Sequence, residues 1–303
     1  AHLFRAIVCG GLFKQPRRLF GRYHGGRMDQ DQGMTARQGY LYETHFHTSV
    51  ASACARSRGP EYLERYKRLG YAGIMVTDHF WRGNCAVNRH LPWAEFVEEF
   101  CRGYAETREA GEKIGLDVFF GWEETYDGDD YLVYGLDKQW LLSHPEVCGW
   151  TRREQLEQVH RYGGCVVQAH PFRDRDYIPA IHLGLKRADA FEVYNAGNDA
   201  AFDSQTHAFI AYHGLTATAG SDIHGAAQYE DDQLGGVIFD TRLHSAKDYA
   251  DAIRSNAPRR LRVPAGRFDQ PVRMPLKPVW EHGERTRRLR VREEIFGHPG
   301  AQI

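Results

Sequence analysis

Histidine and acidic residues follow most of the predicted strands of this chain. The first strand ends in His45-Phe46-His47, where the two-residue period of a strand puts both imidazoles on one face, able to hold one ion. Residues of the same kind follow later strands: Asp78, His79, Glu123, His170, Glu192, Asp222 and His224. Imidazole and carboxylate groups bind divalent zinc, iron or manganese, and ligand type alone does not separate these metals. The pattern indicates metal-assisted chemistry.

The alternative is that these histidines are structural. A single histidine is more often a core or surface residue than a ligand, and an HxH pair by itself occurs often by chance. Here the candidate ligands lie at the ends of separate predicted strands, which a random scatter would not produce. We therefore predict a metal site. We interpret as structural the histidines on predicted helices or loops: His90, His144, His160, His207 and His213.

The framework that must bring these residues together is predicted from apolar periodicity. Short apolar runs alternate with helical patterns, which is typical of βαβ units in a parallel sheet or barrel. The predicted strands are 40–46, 72–77, 118–122, 131–135, 165–169, 190–194, 215–219 and 237–239, and the predicted helices are 61–69, 93–114, 152–162, 202–212 and 246–255. Thr151 and Glu154 predict a capping box on the third helix. In an α/β barrel the C-terminal strand ends converge on one mouth, where we place the site.

The organisation of the chain follows from its composition. We predict one domain at residues 40–265, an irregular leader at 1–39, with a start near Met34, and an irregular tail rich in Pro and Arg at 266–303. The formal net charge is -1, so we predict no stable nucleic-acid partner. The six cysteines are dispersed and no apolar run approaches the ~20 residues that span a bilayer. We expect a cytoplasmic protein without membrane attachment, and no pattern indicates an oligomeric state.

Several segments of the chain together resemble one known family. In chain order they read ETHFHTS, GIMVTDHF, GWE, AHPFR, EVYN and AGSDIH, and they resemble the PHP (polymerase and histidinol phosphatase) family. The resemblance covers residues 40–264, and the ensemble is specific although each segment is weak. It implies a distorted TIM-like (β/α)7 barrel of PHP type, with up to three metal ions at its mouth.

The resemblance also implies a ligand set. Carried over by motif, it assigns His45, His47, Glu123 and Asp222 to one ion, Glu123 with His170 to a second, and His79 with His224 to a third. Two family histidines are missing here. The segment TSVASACARS lacks one, which removes a ligand of the third ion, and DDYLVYGLD lacks the other, whose place Asp130 or water could take. We expect one to three divalent ions per chain, zinc, manganese or iron.

The activity implied by the resemblance is hydrolysis of a phosphate ester by metal-activated water, on a phosphomonoester or a nucleotide-type phosphodiester. The expected ligand is a small phosphorylated metabolite or a nucleotide. Guanidinium groups can hold phosphate oxygens in a bidentate manner, and a carboxylate beside a ligating histidine commonly orients the imidazole. The candidate catalytic residues are Asp78, His79 and Arg173, and the candidate substrate-binding residues are Arg173, Arg82 and Asn195, with Arg56 a weaker candidate.

Two alternatives remain open from the sequence. An amidohydrolase-like metal hydrolase also opens its barrel with HxH, but typically adds a bridging lysine and lacks the TDH and GSDIH pairing. A catalytically weak PHP-type binding or structural module is favoured by the two missing histidines. The intact Glu123, His170, Asp222 and His224 oppose that second alternative, because costly polar groups are kept together at one mouth.

Overall fold

A computed structural model describes residues 39–282, 285–290 and 292–297, and the predicted leader lies outside them except for Gly39. The strands are β1 (Tyr40–Phe46), β2 (Tyr71–Val76), β3 (Asp117–Tyr126), β4 (Asp129–Tyr134), β5 (Cys165–Gln168), β6 (Ile181–Leu183), β7 (Ala190–Asn195), β8 (Ala217–Gly220), β9 (Gly236–Phe239), β10 (Arg260–Arg262), β11 (Val279–Glu281) and β12 (Arg287–Leu289). The α-helices are α1 (Leu63–Arg68), α2 (Trp93–Ile114), α3 (Lys138–Ser143), α4 (Arg152–Arg161), α5 (Ala200–His213), α6 (Ala246–Arg254) and α7 (Arg292–Ile295), and 3-10 helices cover Gly59–Tyr62, Pro145–Gly149 and Asp231–Gln233.

The main sheet curls into a nearly closed barrel. Its nine strands lie in the order β10-β9-β1-β2-β3-β4-β5-β7-β8. The segment after β8 returns to β1, where the backbone N–H of His47 donates to the carbonyl oxygen of Ile223 at 3.1 Å. Strands β1, β2 and β3 are parallel, as are β5, β7 and β8, so their C-terminal ends share one mouth. The predicted α/β barrel is confirmed.

The third strand differs from its prediction. The sequence predicts parallel βαβ units here, but β3 continues past Trp122 and returns as β4, antiparallel to both β3 and β5. The turn consists of Asp127 and Gly128, with φ of 55° and 90°. A two-residue Asp-Gly turn with positive φ at both positions matches the twist of a β-hairpin. This hairpin places Asp130 at the mouth, close to Glu123 on the neighbouring strand.

The long helix α2 packs an apolar face against the barrel. In α2 the buried residues recur at helical spacing, among them Phe96, Phe100 and Thr107, and the helix ends where Gly115 adopts a left-handed φ of 69°. The predicted capping box of α4 is present between Thr151 and Glu154. Within the described part of the chain, no helix has the length and apolarity that crossing a membrane requires.

The described part of the predicted tail is partly ordered into strands. Strand β11 pairs in parallel with β6 and antiparallel with β12, which makes a separate three-stranded sheet. Val279, Leu289 and Phe296 are buried in one apolar cluster with Phe172 and Phe191. Strands β11 and β12 have three residues each, which is too short for an alternation of apolar and polar residues to predict them. Burial of Val279 and Leu289 in the apolar cluster stabilises them.

Candidate metal centre

The predicted ligands converge at the C-terminal mouth of the barrel. The first pair comes from β1, while the others follow β2, β5 and β8 or lie within β3. Donor atoms within 4.8 Å of one another form three groups, which are His45, His47 and Glu123, then Glu123, Asp130 and His170, and finally His47, His79 and His224. Residues far apart in sequence are therefore brought within the reach of shared ions.

Glu123 lies at the centre of these groups. Its Oε1 is 3.2 Å from His45 Nε2 and 3.6 Å from His170 Nε2. Its Oε2 is 3.5 Å from His47 Nε2 and 2.7 Å from His79 Nδ1. One carboxylate thus faces four imidazoles, an arrangement that allows it to bridge two cations.

The facing atoms have no hydrogen-bond partner. Both Glu123 carboxylate oxygens, the Nε2 atoms of His45, His47 and His170, and Nδ1 of His79 are buried without one. Leaving one buried polar atom unsatisfied costs about 1–3 kcal/mol. Divalent ions bound by imidazole and carboxylate would satisfy all of these atoms at once. The side chains present therefore fit a metal centre.

The electrostatics of the cluster favour an ionised carboxylate but act differently on the imidazoles. Burial lowers the pKa of His45 and of His79, but Glu192 beside His45 and Glu123 beside His79 outweigh it and hold both pKa values well above the ordinary value. Burial raises the pKa of Glu123, but His45 and His79 outweigh it and hold that pKa well below its ordinary value. Burial lowers the pKa of His47, and the neighbouring His224 and His79 lower it further. Metal ligands must be deprotonated. Glu123 and His47 are therefore held in the forms that bind, whereas a bound ion would have to displace protons from His45 and His79.

Glu192 orients the first imidazole from behind. His45 Nδ1 lies 2.9 Å from Glu192 Oε1. The other oxygen, Oε2, accepts from the backbone N–H of His170 at 3.1 Å and from Asn195 Nδ2 at 2.8 Å. A carboxylate in this position would fix the tautomer of a ligating histidine and leave Nε2 available to a bound ion.

Asp78 acts on a second imidazole through Ser52. It accepts hydrogen bonds from Thr48 N at 2.6 Å, Thr48 Oγ1 at 2.7 Å and Ser52 Oγ at 2.7 Å. Since the Ser52 proton is directed to Asp78, the Ser52 oxygen accepts from His47 Nδ1 at 2.9 Å and from the backbone N–H of His79 at 3.0 Å. Asp78 thus lies behind the ligands and sets the tautomer of His47.

Asp78→Asn should weaken metal binding without removing a ligand. The amide replaces one acceptor oxygen with a donor, so either Thr48 or Ser52 loses its acceptor. We expect metal affinity to fall about 10–100-fold and the free energy of unfolding of the metal-free protein to fall by about 1–3 kcal/mol. Metal titration and urea unfolding measure both. The exposed variant Asp251→Asn should change neither, and unaltered metal affinity in Asp78→Asn would contradict the Ser52 relay.

Arg173 and Asn195 hold the last carboxylate. Asp222 Oδ1 lies 3.3 Å from the Nε2 atoms of His45 and His47. Its Oδ2 accepts from Arg173 Nη2 at 2.7 Å and from Asn195 Nδ2 at 3.2 Å. Burial raises the pKa of Asp222, but His45 and Arg173 outweigh it and hold the pKa well below its ordinary value. The predicted residues Arg173 and Asn195 therefore reach the site through Asp222.

Two site residues have strained backbones. His170 and Asp222 follow β5 and β8 with φ of 29° and 52°, in the left-handed region. For residues other than glycine this conformation costs on the order of 1–3 kcal/mol and concentrates at functional sites. Both side chains reach the cluster from these positions, since the sharp turn directs them back to the mouth.

Arg82 lies on the other face of the hairpin. Its Nη2 donates to the carbonyl oxygens of Cys148 at 2.7 Å and Trp150 at 2.6 Å, and Nη1 lies 3.4 Å from Glu124 Oε2. Successive strand residues point to opposite faces, so Glu124 faces away from the Glu123 cluster. The structure does not bring the guanidinium of Arg82 to the metal groups.

Glu124 should contribute to the pH dependence of stability. Burial raises the pKa of its carboxyl to about 7 from 4.5. The folded protein therefore holds this proton more tightly than the unfolded chain. The resulting contribution to the free energy of unfolding is lost as pH rises from about 4.5 to about 7. In Glu124→Gln this part of the fall in the free energy of unfolding with rising pH should disappear. Urea unfolding across that range with a chelator present measures it, and the surface variant Glu109→Gln should keep the wild-type slope.

Cys54 is a site residue that the sequence prediction missed. It is exposed, and its thiol lies beside His224 and His79. Although the residue is exposed, partial desolvation of the thiol raises its pKa, but hydrogen bonds with His224 and His79 outweigh this and lower the pKa to about 6. The available signal was its position in TSVASACARS, the segment that lacks the expected histidine.

Solved structures share this architecture. A two-domain protein from Bacteroides vulgatus, which contains a predicted PHP-like metal-dependent phosphoesterase, has a TM-score of 0.51 at 15% identity, covering 74% of this chain and 64% of that chain. The barrel has a PHP-type fold. At this identity the similarity establishes the PHP-type fold and not the activity. No family model matches the chain, and no curated protein matches it.

Two further solved structures are similar to the PHP-type barrel at lower scores. A protein from Bifidobacterium adolescentis described as a metal-dependent phosphoesterase has a TM-score of 0.43 at 17% identity, covering 62% of this chain and 88% of that one. PsfC from Pseudomonas syringae has a TM-score of 0.47 at 16% identity, covering 76% of this chain and 93% of that chain.

Proposed function

We propose that this chain is a metal-dependent phosphoesterase that cleaves a phosphomonoester or a nucleotide-type phosphodiester with metal-activated water. The observation that carries the proposal is the convergence on Glu123 of imidazoles whose facing nitrogens are buried without partners. The PHP-type fold and its phosphoesterase-described neighbour support the same reaction class. Nothing else at the mouth accounts for so many unsatisfied donor atoms.

The ligand roles follow from the three groups. His45, His47, Glu123 and Asp222 would hold one ion, with Glu123 shared with a second. Asp130 would complete the second site with His170, because its Oδ2 lies 3.5 Å from His170 Nε2. When bound, the ions supply an acidified water and positive charge for the phosphoryl oxygens. Histidine with carboxylate suits zinc, manganese or iron.

The remaining predicted residues take supporting roles in the proposal. Arg173 and Asn195 fix Asp222, and the guanidinium adds positive charge at the side of the mouth where an anionic ester would bind. Asp78 positions His47 through Ser52. We assign a structural role to Arg82, since its guanidinium is already bound by backbone carbonyls.

The substrate side of the proposal rests on the exposed rim. Arg56 is exposed, and its backbone N–H donates to the carbonyl oxygen of His224 at 2.6 Å, which holds it at the mouth. An exposed cation there would attract a small phosphorylated metabolite or a nucleotide. A reducing, cytoplasmic compartment belongs to the proposal as well, because the described cysteines are free thiols.

The test combines metal content with hydrolysis. The full chain, purified without an affinity tag, is analysed by plasma mass spectrometry, loaded with manganese, zinc or iron, and assayed on aryl phosphomonoesters, phosphodiesters and nucleotides. We expect bound metal and phosphate release, both lost in His45→Ala and kept in the exposed variant His90→Ala. Metal binding without hydrolysis of any ester would replace the proposal with the binding-module alternative. Hydrolysis by a metal-free protein would overturn it.

A further inference from the structure

The loop after β1 crosses the mouth directly above the histidines. Two anchors tie it there, the hydrogen bond from the backbone N–H of His79 to Ser52 Oγ at 3.0 Å and that from Arg56 N to the carbonyl oxygen of His224 at 2.6 Å. Cys54 lies between these anchors. Its position relative to His79 and His224 is thus set by the backbone on both sides.

The thiol of Cys54 faces the same two imidazoles. Cys54 interacts with His224 and His79, and each of those histidines interacts in turn with Cys54. The thiol therefore interacts with both imidazoles of this pair.

The histidine group beneath the thiol has unfilled coordination capacity. The ring centroid of His47 lies 4.1 Å from that of His224 and 4.5 Å from that of His79, and the donor atoms of the three residues fall within 4.8 Å of one another. His47 is fully buried, and its Nε2 has no hydrogen-bond partner. The group formed by these three residues offers only imidazole nitrogens, and a thiolate would add an anionic donor for a divalent ion.

We propose, building on the metal-dependent function above, that Cys54 supplies a thiolate ligand to an ion held by His79 and His224. The thiol gives its proton to solvent as the sulfur–metal bond forms, so charge and atoms balance. The site then differs in kind from the oxygen-rich group of Glu123, Asp130 and His170. Thiolate with imidazole selects zinc, whereas carboxylate and water suit manganese. The mouth would therefore hold one zinc-preferring position beside a position that accepts harder ions.

Cobalt(II) gives a readout that does not depend on activity. The metal-free full chain is titrated with Co²⁺, and a thiolate-to-cobalt charge-transfer band in the near ultraviolet reports a sulfur ligand. The titration uses a Cys9→Ser background, since Cys9 lies outside the described residues. The band should appear in this parent and in the control Cys148→Ser, whose thiol instead donates to the carbonyl oxygen of Pro145. It should vanish in Cys54→Ser and Cys54→His.

The variants separate a ligand from a neighbour. Cys54→Ser should lower zinc affinity at this position at least tenfold, while Cys54→His should bind zinc without the charge-transfer band. Manganese affinity should change little in either, since the oxygen-rich group is intact. Absence of the band in the parent protein, with normal phosphate release, would overturn the Cys54 assignment and leave the proposed function standing. A Cys54-dependent band in a protein that hydrolyses no ester would support the Cys54 assignment and overturn the proposed function.

Discussion

Glu123→Gln is expected to remove both metal binding and hydrolysis. The substituted amide would keep the size of the side chain but lose the charge and one acceptor oxygen that face four imidazoles. Loss of metal assistance costs several kcal/mol of transition-state stabilisation. A loss of about 3–4 kcal/mol corresponds to a fall in kcat/KM of about a hundredfold to a thousandfold. Plasma mass spectrometry should show the loss of more than one ion per chain, because Glu123 belongs to two of the ligand groups.

The neighbouring residue provides the matched control. Glu124→Gln makes the same chemical change one residue later, on the opposite face of β3, where the carboxylate accepts from the backbone N–H of Arg82 at 2.6 Å. Its metal content and kcat/KM should stay near wild type. Equal losses in the two variants would indicate that damage to the hairpin, and not the loss of a bridging carboxylate, causes the effect.

Arg173→Ala is expected to destabilise the protein and loosen the metal centre together. The Arg173 side chain is 13% exposed and Asp222 is 6% exposed, so their 2.7 Å ion pair is nearly dry. Removing one partner of such a pair costs about 3–5 kcal/mol, since the other charge is left buried. Asn195 and Asn198 also lose the hydrogen bonds that Arg173 donates at 3.0 and 2.8 Å. Urea unfolding of the metal-free protein measures the stability change.

Arg173→Lys distinguishes charge from geometry. A lysine ammonium keeps the positive charge, but it cannot contact Asp222, Asn195 and Asn198 with the fixed fork of a guanidinium. We expect an intermediate loss of stability and a measurable loss of metal affinity. If Arg173→Ala left stability unchanged and raised only KM, Arg173 would bind substrate alone and would have no role in holding Asp222.

The convergence of the candidate ligands was predictable from sequence because strand period and strand ends are local signals. HxH on β1 has one possible geometry, and a barrel brings strand ends together wherever they lie in the chain. The role of Asp78 was not predictable in the same way. Whether Asp78 binds metal directly or supports a ligand depends on its contacts with Ser52 and Thr48. These side chains reach Asp78 only after β1 and β2 pair.

Two other features depended on details that periodicity does not carry. The Asp127-Gly128 turn was present in the sequence, but the prediction of parallel units gave it no role, and the position of Asp130 followed from that turn. Cys54 was missed because loop conformation decides which residue faces the histidines. The anchors at Ser52 and Arg56 are contacts with distant segments, and no local pattern encodes them.

The closure between β1 and the segment after β8 has a consequence for how the protein matures. His45 is synthesised before Asp222, and most of the barrel lies between them in the chain. The chain must therefore form its sheet, and close a very long loop, before all ligands of the first site coexist. Under the proposed function, an ion could bind to the complete first site only after this closure.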